Sequence, residues 1–359
     1  MPLVSVIVVN WDRRELLRAC LLALRAQTFR DFETIVVDNG STDGSPELVA
    51  AEFPEARLLR NAENRGFCAA NNQGIRAAAG RYVALLNNDA EPAPGWLQQL
   101  LRGLEAGPGV AMCASKILFH EARDVIDKAG HVIYLDGQNR GRGCGQRDRG
   151  QFDRIEEVLF PDGCAALYDR AAVEAAGLFD EDFFAYGDDA ELGLRLRLAG
   201  WRSIYVPTAV VYHHHSSTLG RFSEERLVLV ERNRLWLAVK LFPVRLLLLN
   251  PFFTLARVAC NGWAALRGRG EAGRFAEARG WRPLVRSMVR AWIAALGGLP
   301  RMLRKRRAVR AALRASASSR VRPLSNREFV ALLRRHRIGA CELAGQAAPL
   351  PTSVQAGTA

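Results

Sequence analysis

The sequence predicts an α/β fold with a mostly parallel, Rossmann-like sheet flanked by helices. Apolar runs at residues 3–9 and 82–86, and a third at the start of residues 32–45, stop abruptly at polar or turn-forming residues, which is typical of strands buried on both faces of a sheet. Leucines at helical spacing follow the first run, and an alanine-rich segment that Gly80 ends precedes the run at 82–86. Strands that alternate with helices of this length indicate βαβ units.

The remaining elements of this sheet follow from similar signals. A short strand is predicted at residues 56–60, a strand and a short helix at 163–177, and an extended segment at 201–217. The leucines of residues 179–201 fit both a strand and a helix, and the glycine near the end of this segment favours the helix. Residues 120–160 are rich in Gly, Arg and Asp, and they are predicted to form a mobile flap over a substrate.

Charge divides the chain into two parts. Residues 1–220 carry 23 Lys/Arg and 30 Asp/Glu, a net charge of −7, whereas residues 221–359 carry 27 and 7, a net charge of +20. Such an asymmetry indicates regions with different partners. The predicted organisation is a catalytic domain at 1–220, with a nucleotide-binding half at about 1–115 and an acceptor half at about 116–220, then a basic helical region at 221–343 and a disordered tail at 344–359.

The basic region is predicted to form amphipathic helices on an anionic membrane surface. The window 241–260 is apolar, but Arg245 and Arg257 interrupt it, and one arginine near the bilayer centre costs ~2.5–3.5 kcal/mol. Interfacial helices therefore fit better than a membrane span, and the polybasic segment 301–314 adds attraction to anionic lipids. An ordinary helical cap with solvated arginines is the alternative. No nucleic acid is expected, because the basic region lacks an aromatic-interleaved recognition motif.

Cysteine usage and the N-terminal residues predict an intracellular protein. The seven cysteines are scattered and include no CxxC pair, which favours reduced thiols. The apolar N-terminus has neither a basic n-region nor a small-residue cleavage site, so it is predicted to be the first strand and not a signal peptide. We expect a cytoplasmic protein that lies peripherally on the inner face of the cell membrane.

Polar side chains at the predicted strand ends are candidates for chemistry. Asp38 follows a buried strand, where a carboxylate can accept the imide N–H of uracil or thymine, or can simply cap a turn. Asp89 follows the strand at 82–86 and can hold a hard divalent cation such as Mg²⁺ or Mn²⁺. His213, the first of three consecutive histidines, is a candidate second ligand, although a structural histidine or a separate transition-metal site at the three histidines are alternatives.

Two predicted helix starts carry further polar clusters. Residues 64–72 place amides and a glycine where main-chain N–H groups favour an anion, although a capped amphipathic helix fits equally well. Asp188, Asp189 and Glu191 place three carboxylates within four positions. Their repulsion and the aromatic residues before them would raise one pKa towards that of a general base, and plain helix capping is the alternative.

Six stretches of the sequence occur in the order of a known family. Along residues 3–220 these stretches are VSVIVVNWD, VVDNGSTDGS, NAENRGFCAANNQGI, LLNNDAE, GLFDEDFFAYGDDAELGLRLRLAGW and VPTAVVYHHHSS. They resemble the inverting family 2 glycosyltransferases of the GT-A fold, in particular the rhamnosyltransferase-like branch. The resemblance implies transfer of a sugar, with rhamnose as one candidate, from a nucleoside-diphosphate sugar to a hydroxyl of a glycan or polyprenyl-linked acceptor in cell-envelope polysaccharide synthesis.

The resemblance also implies roles for individual residues. Asp38 would bind the base, and Asp89 would be the metal-binding aspartate of a DXD-type motif. Asp189, paired with Asp188, would be the catalytic base, and His213 would reach the divalent metal. The candidate contacts to the nucleotide sugar are Asn10, Asp12, Asp38, Asn64, Arg65, Asn72 and Asn88.

The sequence departs from the family pattern at three positions. Asn87 fills the first position of the DXD motif, Asp188 replaces the usual Glu, and Glu191 replaces the second Asp of an EDxD motif. Two other functions are considered. A nucleotidyltransferase would need a glycine-rich phosphate loop after the first strand, which NWDRRELL does not provide. A non-catalytic, membrane-associated scaffold would not need the acidic residues and the histidine that this chain retains.

Overall fold

The computed structural model describes residues 1–215, 220, 222–315 and 321–345. The strands are β1 (Val4–Asn10), β2 (Phe32–Asp38), β3 (Arg57–Arg60), β4 (Tyr82–Asn87), β5 (Ala90–Pro92), β6 (Val110–Phe119), β7 (Ala122–Lys128), β8 (His131–Ile133), β9 (Asn139–Gly141), β10 (Glu156–Glu157), β11 (Ala165–Asp169) and β12 (Arg202–His213). The helices are α1 (Arg14–Arg25), α2 (Ser45–Glu52), α3 (Gly66–Ala77), α4 (Trp96–Leu104), α5 (Arg170–Ala175), α6 (Asp188–Leu198), α7 (Glu224–Leu241), α8 (Val244–Ala265), α9 (Gly270–Arg279), α10 (Trp281–Gly297), α11 (Leu299–Ala315), α12 (Asn326–Arg335) and α13 (Ala340–Gly345). A short 3₁₀ helix at Glu181–Phe183 precedes α6.

The main sheet confirms the predicted α/β class. Its strand order is β10-β12-β6-β11-β4-β1-β2-β3, with β5 paired to β12 and β7 paired to β6. The predicted parallel pairing holds for β3, β2, β1 and β4, which form the first half. The second half is mixed, because β11 runs antiparallel to both β4 and β6. Polar residues that follow β1, β4 and β12 therefore meet beyond one edge of the sheet.

Helices cover both faces of the sheet, and the strands bury residues on each. Val6 and Val8 of β1 belong to one apolar cluster, whereas Ile7 belongs to the other. This alternation follows from the period of two along a strand. On one face, Leu17 and Leu21 of α1 pack against the valines. A strand buried on both faces requires a continuous apolar run, which explains why the sequence revealed β1 so clearly.

Residues 120–160 were predicted to form a mobile flap over a substrate, and the structure places four strands in them. They contain β7, β8, β9 and β10, and β7 pairs with β6 in the main sheet. Asp127, His131 and Asp136 in this segment are all buried. The abundant glycines turn the chain between short strands, as at Gly130, which has a φ of 82°. Some of the segment's charged residues form buried ion pairs, as His131 does with Asp162, whereas others such as Arg123 and Arg147 are exposed.

The C-terminal helices pack directly on the α/β domain. The side-chain amide of Asn233 in α7 donates to the main-chain carbonyls of Phe183, Ala185 and Tyr186, at 2.9, 2.9 and 2.7 Å. The Trp236 ring meets the Phe183 ring edge-on, with centroids 6.1 Å apart. These contacts fix the loop that leads into α6. The boundary between 220 and 221 therefore separates regions of different charge that share one apolar cluster.

The polybasic segment 301–314 lies in α11 and is partly used within the protein. Arg301 pairs with Asp182 at 3.0 Å. Arg306 and Arg310 donate to main-chain carbonyls at the C-terminal end of α7. These guanidinium groups satisfy carbonyls that the end of a helix leaves without partners. These three side chains therefore contact the protein itself, and the attraction of the segment to anionic lipids stays a prediction.

Large apolar side chains are exposed on two other C-terminal helices, α8 and α10. With 48–76% of each residue exposed, they form two stripes at helical spacing: Leu248, Phe252 and Leu255 on α8, and Val285, Val289, Ile293 and Leu296 on α10. We call these seven residues the apolar stripes. Across the ranges that the structure describes, no helix combines the length and apolar character needed to cross a membrane.

The cysteines and the C-terminus differ from expectation. Cys260 and Cys341 form a disulfide, so the prediction of reduced thiols is wrong for this pair. It links α8 to α13. The remaining five cysteines are free thiols, four of them buried. The predicted disordered tail at 344–359 begins within α13, where Ala344 is buried, and its residues 346–359 lie outside the described part of the chain.

Candidate active site

A cavity of about 850 Å³ lies beyond the carboxyl ends of β1, β4 and β12. In open α/β sheets this is the edge at which ligands bind. The polar part of its wall is formed by Asn39, Asn64, Asn88, Asp89, Asp127, Lys128, His131, Asp162, Asp188, Asp189, His213 and His215. Helices α7 to α10 form an apolar part of the wall. Six of the site residues predicted from the sequence therefore face one space: Asn64, Asn88, Asp89, Asp188, Asp189 and His213.

Two carboxylates and two imidazoles meet at one end of this cavity. His213 Nε2 lies 3.3 Å from Asp89 Oδ1, and its Nδ1 lies 2.7 Å from Asp127 Oδ2. His215 Nε2 lies 3.7 Å from Asp127 Oδ1, an oxygen that is buried and has no hydrogen-bond partner among the described residues. One potential ligand atom from each of Asp127, His213 and His215 lies within 4.8 Å of the other two. Carboxylate and imidazole donors with an unsatisfied buried oxygen suit a divalent cation such as Mn²⁺.

The electrostatics of this end also favour a cation. Burial opposes the charged form of His213, but Cys164, Asp89 and the hydrogen bond to Asp127 raise the pKa of the imidazole well above its usual value. Burial would raise the pKa of Asp127, but the positive charges of Lys128 and His215 and the bond from His213 lower it. The buried carboxylates thus attract positive charge, which a metal ion can supply in place of a proton.

The three consecutive histidines do not converge on one site. His213 and His215 line the cavity, whereas His214 does not. His214 Nε2 lies 2.8 Å from Glu91 Oε1, and its ring stacks on that of His120. A transition-metal site formed by all three histidines is therefore excluded.

Asp188 and Asp189 open α6 at the opposite wall of the cavity. Gly187, with a φ of 73°, turns the chain into the helix. Burial raises the pKa of Asp188, and the adjacent Asp189 raises it further. Burial also raises the pKa of Asp189, as does Asp162, although His131 and Lys128 oppose this. A carboxylate with a raised pKa that faces a cavity is suited to general-base chemistry.

A basic pair holds a further carboxylate beside Asp189. His131 Nε2 lies 2.8 Å from Asp162 Oδ2 and 3.8 Å from Asp189 Oδ2. Lys128 Nζ lies 3.0 Å from Asp162 and 3.7 Å from Asp127. Lys128 thus lies between Asp127, which belongs to the group suited to a divalent cation, and Asp162, which lies beside Asp189. The ligand atoms of His131, Asp162 and Asp189 also lie within 4.8 Å, so they form a second group that could hold a cation.

The polar residues predicted at the ends of β1 and β2 lie behind the cavity wall and connect to it through hydrogen bonds. Asp38 is buried and is not part of the cavity wall. Asn10 donates to Asp38 Oδ1 at 3.3 Å and accepts from Asn88 at 2.7 Å, so Asn10 connects Asp38 to the wall. Asp38 also accepts from the main-chain N–H of Ser41, which is the turn-capping role that the sequence left open. Asp12 accepts from Thr42 N and does not line the cavity.

The predicted contacts on α3 separate into two groups. Asn64 lines the cavity, and its Oδ1 accepts from Asn39 and from Gly66 N. The Arg65 side chain is exposed and is absent from the wall. Asn72 is buried, donates to Phe179 O and Glu181, and accepts from Phe179 N. With these bonds the Asn72 amide holds the loop before α6, which explains why a polar residue lies inside a helix. They do not support the predicted contact of Asn72 with the nucleotide sugar.

Comparison with known proteins places this architecture in a family. A model described as Glycosyl transferase family 2 matches residues 5–177. The N-acetylglucosaminyl-diphospho-decaprenol L-rhamnosyltransferase of Mycobacterium tuberculosis is 30% identical over 237 residues, which cover 60% of this chain and 77% of that protein. The chain belongs to glycosyltransferase family 2. The O-antigen biosynthesis protein RfbC of Myxococcus xanthus is 31% identical over 60% of this chain, but the match spans only 18% of that longer protein.

A solved structure agrees with the GT-A fold expected for a family 2 glycosyltransferase. The crystal structure of GalNAc-T7 with UDP, GalNAc and Mn²⁺ superposes with a TM-score of 0.55 at 15% identity, covering 67% of this chain and 48% of that one. At this identity the likeness concerns the fold. The predicted resemblance to family 2, its GT-A fold and its rhamnosyltransferase-like relatives is confirmed.

Several side chains of this family 2 glycosyltransferase were missed by sequence reasoning. Asp127, Lys128 and His131 lie in the segment that was taken for a flap, and Asp162 precedes β11. Two short apolar groups in RDVIDKAGHVIYL flank charged residues, which is a weak strand signal. His215 was noted only as part of the histidine run. Nothing in the local spacing joins these residues to Asp89 or Asp189, because the contacts are made between distant segments.

Proposed function

We propose that this chain is a metal-dependent, inverting glycosyltransferase that moves a sugar from a nucleoside-diphosphate sugar to a hydroxyl of a glycan or lipid-linked acceptor in cell-envelope polysaccharide synthesis. The observation that carries the proposal is one cavity whose wall holds Asp89, Asp127 and His213 at one end and Asp189 at the other. The printed name of the mycobacterial relative supports a lipid-linked acceptor and makes rhamnose the first sugar to test.

Four residues would hold the divalent cation: Asp89, Asp127, His213 and His215. When bound, the cation supplies positive charge that neutralises the leaving diphosphate. Asn64 and Asn88 face the same space with amide groups suited to polar parts of the nucleotide sugar. Asp38 supports them from behind through Asn10.

Asp189 acts as the base in this proposal. Its carboxylate takes the proton of the acceptor hydroxyl as that oxygen bonds to the anomeric carbon. The bond between the anomeric carbon and the diphosphate oxygen breaks on the opposite side, so one displacement inverts the configuration. The proton stays on Asp189, and the diphosphate leaves with the bonding electrons. Asp162 and His131 position this carboxylate, and the helical wall limits access of water to the cavity.

The apolar stripes support contact with an anionic membrane surface. Exposed leucine, valine and phenylalanine side chains at helical spacing, next to arginines such as Arg245 and Arg282, are typical of helices that lie in a membrane interface. We propose a peripheral position on the inner face of the cell membrane, with these stripes and not the whole segment 301–314 as the contact.

The function is tested by a thermal-shift screen of nucleotide sugars with and without Mn²⁺ or Mg²⁺. We expect at least one nucleoside-diphosphate sugar to raise the thermal midpoint only when the metal is present. The best donor is then incubated with candidate acceptors, and the products are identified by mass. Family membership argues against a nucleotidyltransferase. A protein that binds donors but transfers sugar to no acceptor would instead favour the scaffold function.

A further inference from the structure

The cavity continues from the carboxylates into a groove between four helices. Apolar side chains that line it are Val230 of α7, Val258 of α8, Phe275 of α9, and Met288 and Trp292 of α10. We call this part the helical groove. It joins the Asp189 end of the cavity without a separate wall, since one continuous cavity includes both. A donor with a charged diphosphate and a polar sugar gains nothing from such a lining, so the groove fits a different ligand.

The charged residues near the groove do not make it a polar site. Glu231 Oε2 lies 2.9 Å from Arg257 Nη2, and Arg257 Nε lies 2.5 Å from Asp136 Oδ2. Arg234 pairs with Glu231 at 2.5 Å, and Trp292 Nε1 donates to Glu231 Oε1 at 3.2 Å. Two acids and two arginines thus neutralise one another. The wall that remains for a ligand is aliphatic and aromatic.

A cationic side chain, that of Arg140, lines the same cavity. Arg140 lies on β9 next to His131 of β8, because the paired residues are Val132 with Arg140 and His131 with Gly141. His131 reaches towards Asp189, and Arg140 Nη2 lies 3.9 Å from Glu271 at the start of α9. That separation is too long for a hydrogen bond. Both Nε and Nη2 of Arg140 are buried and have no hydrogen-bond partner within the described residues.

We propose that the helical groove binds the apolar chain of an isoprenoid-diphosphate-linked acceptor, with Arg140 contacting its diphosphate. This inference rests on the proposed function, since it presents the acceptor hydroxyl to Asp189. The chemistry of the cavity wall matches such a ligand, because it includes a carboxylate base, guanidinium N–H groups without hydrogen-bond partners among the described residues, and an apolar lining. Val285 and Val289 belong both to the groove wall and to the apolar stripe of α10, so the chain can enter from the membrane side.

Gly262 provides a way to fill the groove without disturbing the fold. This residue of α8 lines the cavity, and a Cβ added to it would meet no atom within 4 Å. A phenylalanine there projects into open space and is more favourable in a helix than glycine. Gly297 of α10 is the matched control, since its Cβ also meets nothing within 4 Å and it is not part of the cavity wall.

The test measures equilibrium binding of geranylgeranyl diphosphate, a soluble isoprenoid diphosphate, by calorimetry. We expect Gly262→Phe to weaken binding about tenfold or more, because displacing roughly two buried methylene groups has that effect. Gly297→Phe should change affinity by no more than about twofold. Arg140→Gln should weaken binding of the diphosphate about tenfold, while binding of the uncharged alcohol geranylgeraniol stays the same. Thermal midpoints confirm that each variant is folded.

Equal affinities for Gly262→Phe and Gly297→Phe would overturn the inference, as would inorganic diphosphate binding as tightly as the isoprenoid. Failure of the proposed function has a different signature. In that case geranylgeranyl diphosphate binds as expected, but no nucleotide sugar binds and no sugar is transferred. Conversely, transfer to water-soluble acceptors without isoprenoid binding would leave the proposed function in place and exclude the groove as an acceptor site.

Discussion

Replacing Asp189 by asparagine separates chemistry from binding in this site. The substitution keeps the size of the side chain and one oxygen, which can accept from the main-chain N–H of Ala190 as Oδ1 does, whereas the longer contact of the Gly163 N–H to Oδ2, at 3.4 Å, is lost. It removes the carboxylate that, in the proposed reaction, takes the proton of the acceptor hydroxyl. General-base catalysis contributes ~10²–10⁴-fold to a rate, which equals ~2.7–5.5 kcal/mol of barrier. We therefore expect kcat to fall by this factor, while the dissociation constant of the donor, measured by calorimetry with Mn²⁺, stays unchanged.

The same variant should be as stable as the native protein or more so. Burial raises the pKa of Asp189 in the folded state, and Asp162 adds to the rise. A group with a raised pKa stabilises the fold when it is protonated, and this contribution is lost as the pH rises through the folded pKa. At neutral pH the Asp189 charge therefore opposes folding, and asparagine removes that charge. The thermal midpoint of Asp189→Asn should not lie below the native value.

Glu191, two positions further along α6, is the matched control. Burial alone would raise its pKa, but Arg195 and Lys240 lower it, and its oxygens lie 2.7 Å from a nitrogen of each. Its stabilisation is therefore present above the ordinary Glu pKa and lost as the pH falls. Glu191→Gln should cost ~3–5 kcal/mol of stability, since it breaks a buried ion pair, and should keep kcat per folded molecule. If Asp189→Asn retains turnover within about tenfold, or loses donor binding in step with turnover, the base assignment is wrong.

Four further outcomes are expected. Asp127→Asn should weaken Mn²⁺ binding about 10–100-fold in calorimetry, and an unchanged affinity would remove Asp127 from the metal site. Asn72→Ala should cost about 1–3 kcal/mol in denaturant unfolding and leave the donor KM unchanged, because its amide holds a loop; a raised KM at native stability would contradict this. In the pH profile of kcat/KM, the fall on the acidic side should have its midpoint above the ordinary Asp pKa of about 3.9, because Asp189 must be ionised to act as the base and its pKa is raised. A midpoint at the ordinary value would argue for another base. Phe252→Ser should reduce co-sedimentation with anionic vesicles relative to Leu22→Ser, an exposed leucine outside the stripes, and equal sedimentation would exclude the α8 stripe.

The sequence predicted the elements whose own pattern reflects burial. The strand β4 is apolar on both faces and ends in Asn87, Asn88 and Asp89, so both the strand and the placement of Asp89 could be inferred. Asp189 and His213 follow the same logic, because each lies at the end of an element that meets the same edge of the sheet. Their positions around one cavity agree with the prediction, and their chemical roles remain for experiment.

The remaining features could not be predicted from the sequence, because they depend on contacts between distant segments. Asp127 reaches His213 from a short strand whose composition is typical of a loop, so local signals did not reveal it. Asn72 was predicted to contact the nucleotide sugar, but its amide bonds to Phe179, which is 107 residues away. The pairing of Cys260 with Cys341 likewise has no signature in sequence spacing. Only the folded chain shows which partners satisfy these groups.

The bonds from Asn233 make the C-terminal helices a support for the loop that leads into α6. The loop they hold contains Phe184 and Tyr186, both with a φ of 66°, a conformation that costs ~1–3 kcal/mol per residue unless the surroundings impose it. A fragment that stops at 220 would lose these donors and release the entrance to α6. Chimaeras that exchange helical regions between relatives must therefore carry an equivalent of Asn233, and a minimal active fragment should be sought among fragments that retain α7 through α13.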